Sequence, residues 1–151
     1  MRRLQVYGER LLKLGQHVPF VWQKLAIEQL SARLFAEPLR EGAFELLRGH
    51  WLRLHVSDLG LSWCVTCQGA RLKVVARSTA DVTIRGNWRE FLLLASRQED
   101  PDTLFFRRRL VIEGDTELGL GVKNLLDALD PEQMPPSVWR VMRRMGEAIK
   151  N

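Results

Sequence analysis

Apolar positions along the first stretch of the chain recur with a helical period. In Arg2–Leu14, Leu4, Tyr7, Leu11 and Leu14 form one stripe, with Arg2, Gln5, Glu9 and Lys13 opposite. Gly15 and Pro19 punctuate this segment, and a second helix is predicted from Phe20 to Ala36. It is apolar on more than one side through Trp22, Leu25, Ile27, Leu30, Leu34 and Phe35, so it is expected to pack between layers. Glu37-Pro38 is expected to end it.

The period then changes from 3.6 to 2. Trp51–Val56 alternates, Ser57–Gly60 is a turn, Leu61–Gln68 and Arg71–Arg77 flank a Gly69-Ala70 hairpin turn, and Asp81–Arg85 is a short fourth strand. Asn87–Arg97 returns to helical spacing through Trp88, Phe91, Leu92 and Ala95, leaving Leu93 and Leu94 off its best stripe. Asp100–Asp102 reads as a loop. Leu104–Glu113 reads as a fifth strand, with Phe106, Leu110 and Ile112 on one face and Arg107 and Arg109 on the other. Gly114-Asp115 closes it and supplies an N-cap for a helix with Leu118, Val122, Leu125, Leu126 and Leu129 on its apolar side. Asp130-Pro131 and Pro135-Pro136 bracket a break. A last helix, about Ser137 to Ile149, has Val138, Val141, Met142, Met145 and Ile149 on one face, with Arg140, Arg144 and Glu147 turned away. This order predicts an α+β fold: a five-stranded, mostly antiparallel sheet covered by helices on one face. Residues 1–36 read as N-terminal helices packed on a domain spanning 37–151, the whole forming one structural unit.

Composition narrows the class. The 151 residues, 46% hydrophobic and 27% charged, suit a single globular domain with a sizeable core. The longest run without Asp, Glu, Lys or Arg is Leu59–Ala70, too short to span a bilayer, and Glu9, Arg10 and Lys13 break any secretory signal. A cytoplasmic location is expected. The net charge of +5 is weighted to residues 1–56, which carry +4. Such a field favours anionic partners, either nucleic acid or an anionic membrane surface.

Candidate chemistry is sparse. Cys64 and Cys67 have no second pair to complete a zinc site, and on a strand they point to opposite faces, so they read as small buried residues. No cofactor or metal is expected. Gly119-Leu120-Gly121 lies in a helix and lacks a third glycine, so close helix–sheet packing is its reading. Asp81 and Glu113 are expected as surface partners of Arg85 and Arg109, and no catalytic constellation is visible. Phe105-Phe106 before Arg107–Arg109 could stack bases and grip phosphates, but alternation places these side chains on different faces. Leu120 stands out beside Lys123 and Asp127 on an otherwise polar side. Together with Leu93, Leu94, Met142 and Met145 it points to an apolar cavity or a membrane-facing patch.

The stretch DPDTLFFRRRLVIEGDTELGLGVKNLLDAL (Asp100–Leu129) resembles the sterol carrier protein type 2 domain, in a strand at the end of a sheet, a Gly-Asp-x-Glu turn and a following helix. GHWLRLHVSDLGLSW (Gly49–Trp63) is similar to the first strand and turn of that family. Within the family the likeness is to bacterial accessory factors of oxygen-independent ubiquinone biosynthesis. The resemblance implies an apolar tunnel between sheet and helices. It also implies a non-catalytic role in presenting a polyprenylated quinone precursor, with the UbiU and UbiV hydroxylase proteins and other ubiquinone biosynthesis enzymes as partners.

The family supplies no short signature for its lipid contacts, so the lining residues come from periodicity. They are Phe91, Phe106, Leu118, Val122, Leu125 and Leu126, with Met142 and Met145 closing one end. Arg2, Arg3, Arg10 and Lys13 are the expected membrane contacts, the alternative being that this first helix covers the tunnel. Two rival readings are a scaffold that binds the hydroxylases without lipid and a basic nucleic-acid module using Arg107–Arg109.

Overall fold

The computed structural model describes Val6, Arg10, residues 18–129 and residues 135–150. The predicted first helix, its Leu4, Tyr7, Leu11 and Leu14 stripe, and the Asp130-Pro131 break lie outside these residues. So do Arg2, Arg3 and Lys13; Arg10 is helical and exposed.

Period-two alternation yields strands β1 (Leu52–Val56), β2 (Leu61–Gln68), β3 (Arg71–Val75) and β4 (Val82–Gly86), joined by β5 (Val111–Gly114). Their spatial order is β3-β2-β1-β4-β5, with only the β1–β4 pair parallel. Register sets the faces. Leu52 aligns with Val65 and Val82, Leu54 with Trp63 and Ile84, Ile84 with Ile112, and Cys67 with Leu72. This side carries the core, where Leu52, Cys67, Val82 and Ile84 meet Leu39, Phe44, Leu47, Leu104, Leu110, Val122 and Leu125. The other face is mostly polar: Arg53 donates to Ser62 (2.8 Å) and Arg85 pairs with Glu113 (2.6 Å).

Among residues 18–129 and 135–150, six α-helices surround the sheet: α1 (Phe20–Leu34), α2 (Ala36–Arg40), α3 (Trp88–Ala95), α4 (Pro101–Phe106), α5 (Thr116–Ala128) and α6 (Pro136–Lys150). Pro38 does not end the helical region. It sits in the first turn of α2, where its missing N–H costs no intrahelical bond, and it is buried there with Leu39.

Helix α1 does not pack between layers as its composition predicts. Its inward positions are 20, 23, 24, 27, 28, 31 and 34, spaced at i, i+3, i+4, i+7, and they set Gln23, Lys24, Glu28 and Ser31 beside Phe20, Ile27 and Leu34. They serve the free edge of β3. The Glu28 carboxylate accepts from the Val74 N–H (2.8 Å) while the Lys24 ammonium donates to the Val74 carbonyl (2.9 Å). Lys24 and Glu28 also pair at 2.7 Å, and the Trp63 indole donates to Gln23 (2.8 Å). An open strand edge is a template for foreign strands, and here side chains occupy its central donor and acceptor.

Segment 104–113 also departs from expectation. Proline at the first helical position, with Pro101 and Leu104 sharing a buried side, makes 101–106 helix α4. Arg108 then adopts a left-handed φ of 57°, and the N–H groups of Arg109 (2.9 Å) and Leu110 (3.1 Å) both return to the Leu104 carbonyl. Only Val111–Gly114 remains as strand. Leu104 and Leu110 are both buried, but a helix and a turn bring them there rather than alternation.

Helix α3 is buried on a broader arc than its stripe predicts. Leu93 is 1% exposed and Ala95 faces solvent, because α3 is packed by both α4 and α6. The α6 contact is close: a Cβ at Gly146 would lie 2.0 Å from Ser96 Oγ. The packed side of α6 therefore centres on Gly146 and Ile149, and Val141 and Met145 point outward.

Two measurements test this packing. Gly146→Ala should lower the unfolding free energy by about 1–3 kcal/mol, seen as an earlier thermal transition. Burial alone would raise the Glu28 pKa, but the Lys24 hydrogen bond, the Val74 N–H and the charges of Lys24 and Lys73 outweigh it, holding the carboxyl below its ordinary 4.5. A depressed pKa gives stability that is present above the unfolded-state value and lost as pH falls through the folded-state one. Wild-type stability should therefore drop below about pH 4.5, and Glu28→Gln should flatten that part of the profile in urea titrations.

Candidate functional site

A groove of about 660 Å³ runs beside β5, the sheet edge that α1 does not cover, between that strand, the start of α5 and the turn after α4. Its apolar side is made by Phe105, Leu110, Ile112, Gly119 and Leu120, and its polar rim includes Arg85, Arg108 and Lys123. The volume is that of a small-molecule or lipid-segment site.

Local chemistry holds this shape open. Asp115 caps α5 by accepting from the Leu118 N–H (2.8 Å), and its own N–H donates to the Asp81 carbonyl (2.9 Å). Gly114, at φ 110°, is required before it, since a Cβ there would stand 2.3 Å from that same carbonyl oxygen. Gly119 lets α5 approach the sheet, where a Cβ would meet Ile112 Cγ2 at 3.0 Å. At the far end of α5 the Arg97 guanidinium donates to the carbonyls of Leu126 (2.6 Å) and Leu129, satisfying the open end of the helix.

The rim cations are partly committed. Arg85 pairs with Glu113, Lys123 with Asp102 (3.0 Å). Arg109 is turned away from the groove. Its Nη1 donates to both Glu99 oxygens (2.7 Å each) and its Nη2 lies 3.5 Å from Glu90, so it ties α3 to the turn before β5. The Glu99 hydrogen bond leads in raising its pKa above the ordinary arginine value. Glu113 is thus the partner of Arg85, as expected. Arg109 is held by Glu99 and Glu90 instead, and Asp81 accepts from the Trp51 N–H (2.8 Å). The Arg107–Arg109 run is not one basic face.

The predicted lining residues divide. Phe91, Leu118, Val122, Leu125 and Leu126 come together in the core behind the groove, with Val122 1% exposed. Phe106 is 90% exposed, because it ends helix α4 instead of lying on the inner face of a strand, and Met145 is 45% exposed on the outer side of α6. Met142 is half-buried outside that core cluster. None of the eight lines the groove. The residues that do are signalled in the sequence only by Leu120, an apolar residue on a polar helix side, and by the adjacent small residue Gly119.

Cys64 and Cys67 are free and buried, and burial leads in pushing the Cys67 thiol pKa up. No cluster of three potential metal ligands occurs among the described residues, and no described helix is long and apolar enough to cross a membrane.

Residues 27–127 match the SCP-2 sterol transfer family. The chain belongs to that family. It is 42% identical over 132 residues to the ubiquinone biosynthesis accessory factor UbiT of Escherichia coli strain K12, covering 87% of this chain and 76% of the relative. Its counterpart in E. coli O157:H7 gives the same values. Among solved structures, the UbiJ-SCP2 ubiquinone synthesis protein superposes with a TM-score of 0.58 at 24% identity, over 72% of this chain and 97% of that one. A double mutant of the sec-alkyl sulfatase PisA1 does so with a TM-score of 0.50 at 22% identity, over 76% of this chain and 17% of that one. These two likenesses show the fold alone. The family and the five-stranded α+β architecture expected from the sequence are both found.

Because Arg109 anchors the turn that precedes β5, Arg109→Gln should cost about 1–3 kcal/mol of stability in urea denaturation, leaving two half-buried carboxylates without their cation. An unchanged midpoint would mean that the pairs contribute nothing.

Proposed function

We propose that the chain is a non-catalytic lipid-binding accessory factor of ubiquinone biosynthesis. In this reading it holds a polyprenylated ubiquinone precursor and presents it to the enzymes that modify the ring. We place it in the oxygen-independent route, with UbiU and UbiV as hydroxylase partners, acting in the cytoplasm beside the inner membrane. The observation that carries this reading is the 42% identity, over 87% of the chain, to a ubiquinone biosynthesis accessory factor.

The physical case is one of matching environments. A prenyl tail exposed to water costs about 0.8 kcal/mol per CH₂, so it does not leave the bilayer for an aqueous enzyme unaided. A carrier needs only an apolar surface that equals the bilayer, plus a few polar groups that recognise the head. The groove beside β5 offers both kinds of surface. The tail is assigned to Phe105, Ile112 and Leu120, and from there toward the sheet–helix interface at Leu118, Val122, Leu125, Leu126 and Phe91, with Met142 beyond. The ring is assigned to the rim at Arg85, Arg108 and Lys123. Phe106 and Met145, both exposed, take no part.

Protein purified without detergent should release a prenylated quinone or precursor into an organic extract, identified by mass spectrometry. Leu120→Asp should lose most of that lipid while melting like wild type, since Leu120 is 57% exposed. Val122→Asp is the wrong probe, because it would bury a carboxylate in the core. An empty extract, even after incubation with quinone-loaded vesicles, would overturn the carrier reading in favour of a scaffold.

A further inference from the structure

The two edges of the sheet end differently. Lys24 and Glu28 take the central donor and acceptor of β3, whereas the outer edge of β5 faces the groove. Hydrogen bonds around β4 fix which groups of β5 are left open. The Asp115 N–H donates to the Asp81 carbonyl (2.9 Å), which makes these two residues a bonded pair of the β4–β5 ladder. Bonded and non-bonded pairs alternate along antiparallel strands, so Thr83 with Glu113 and Arg85 with Val111 are bonded as well. The even positions of β4 turn toward β1. There the Gly86 carbonyl accepts from the Ser57 N–H (2.8 Å) and the Val82 N–H donates to the Trp51 carbonyl (3.3 Å). Ile112 and Gly114 therefore direct both N–H and C=O away from the sheet. None of these four groups has a partner among the described residues, and Gly114 is exposed. A lipid held against neighbouring side chains leaves them to water, whereas an extended peptide can bond all four.

The walls of the groove describe that peptide. Ile112 aligns with Ile84 on the core side of the sheet and shares the groove with Phe105 and Leu120, so alternate side chains of an added strand meet an apolar wall. The acids of the groove are already engaged, Glu113 with Arg85 and Asp115 as the cap of α5. Arg108 lines the groove, is exposed and pairs with no acid among the described residues, and Arg107 beside it is exposed as well. The intervening side chains of the peptide are then acidic. A second copy is a poor match, since pairing edge to edge would bring two such cationic rims together.

We infer that the open edge of β5 is a strand-addition site for a partner protein, which enters as an extended segment alternating apolar and acidic residues. Ile112 and Gly114 supply the backbone bonds and Arg108 the charge. This docking needs no lipid. If the groove also holds a prenyl tail against Leu120, as proposed above, strand and tail exclude one another and docking unloads the carrier.

A capped, fluorescein-labelled octapeptide of alternating valine and glutamate serves as the probe, read by anisotropy and by amide hydrogen exchange. It should bind, and a valine–lysine octapeptide should bind at least about tenfold more weakly, with the difference shrinking at high salt. At saturation the Ile112 and Gly114 amides should gain protection, while those of Val111, Glu113 and Asp115, already bonded to β4, change little. Methylating the amide nitrogens of all the valines, or of all the glutamates, removes the donors along one edge of the peptide at a time, and at least one of these two peptides should lose binding. Asparagine tolerates the left-handed backbone of position 108, so Arg108→Asn should weaken binding at least about threefold with an unchanged melting temperature. Three results would each overturn the inference. The valine–glutamate peptide could fail to bind. It could bind without protecting Ile112 and Gly114, both methylated peptides binding equally well. Sedimentation equilibrium could also show a dimer in which these two amides are protected with no peptide present. No readout involves lipid, so failure here leaves the carrier reading standing, and an empty lipid extract leaves the docking site standing.

Discussion

A sheet with one apolar face must be covered on that face and protected along its edges, and the placement of the surrounding elements follows from those two demands. The register that aligns Leu52 with Val65 and Val82, and Ile84 with Ile112, gathers the apolar side chains on one side. Helix α5 serves this face through Val122 and Leu125, and the segment from Leu39 to Leu47 joins it there. Burial of these side chains is the main favourable term in the fold.

The two edges are handled differently, and that difference shapes the surface. At β3 the edge is closed by Lys24 and Glu28, which leaves Val21, Trp22 and Leu25 of α1 outward. Beside β5 the turn after α4 and the capped start of α5 stand around a groove, with Gly119 making room. For the carrier we propose, the groove beside β5 takes up what the bilayer contains.

Much of this architecture is legible in the residue pattern. The alternating strands between residues 52 and 86, the Asp115 cap and the Leu118–Val122–Leu125 stripe are found close to where periodicity places them. Each is a local pattern whose burial follows its own spacing. Segment 104–113 has the pattern of a strand, because Phe106, Leu110 and Ile112 alternate with arginines. The chain instead uses Pro101 to start a helix and Arg108 in a left-handed conformation to end it. Leu93 falls outside the stripe of a helix with a single buried face, whereas α3 has neighbours on more than one side. The groove leaves no such trace, because its apolar residues come from a helix end, a strand edge and a helix start that no single periodicity links.

The sequence alone determined the family, the α+β class, the strands of the central region and the absence of any recognisable catalytic or zinc motif, because these depend on residue type and short-range spacing. Tertiary structure alone decided which side of α1 faces inward. The helix is apolar on more than one side, so composition does not choose, and the unpaired N–H and carbonyl of Val74 form a fixed demand that Glu28 and Lys24 meet, bringing Phe20, Ile27 and Leu34 inward with them. It also decided that Leu120, Ile112 and Phe105 share one cavity. A site assembled from separate elements is a property of how those elements pack, and the packing is set by long-range contacts that the local pattern does not encode.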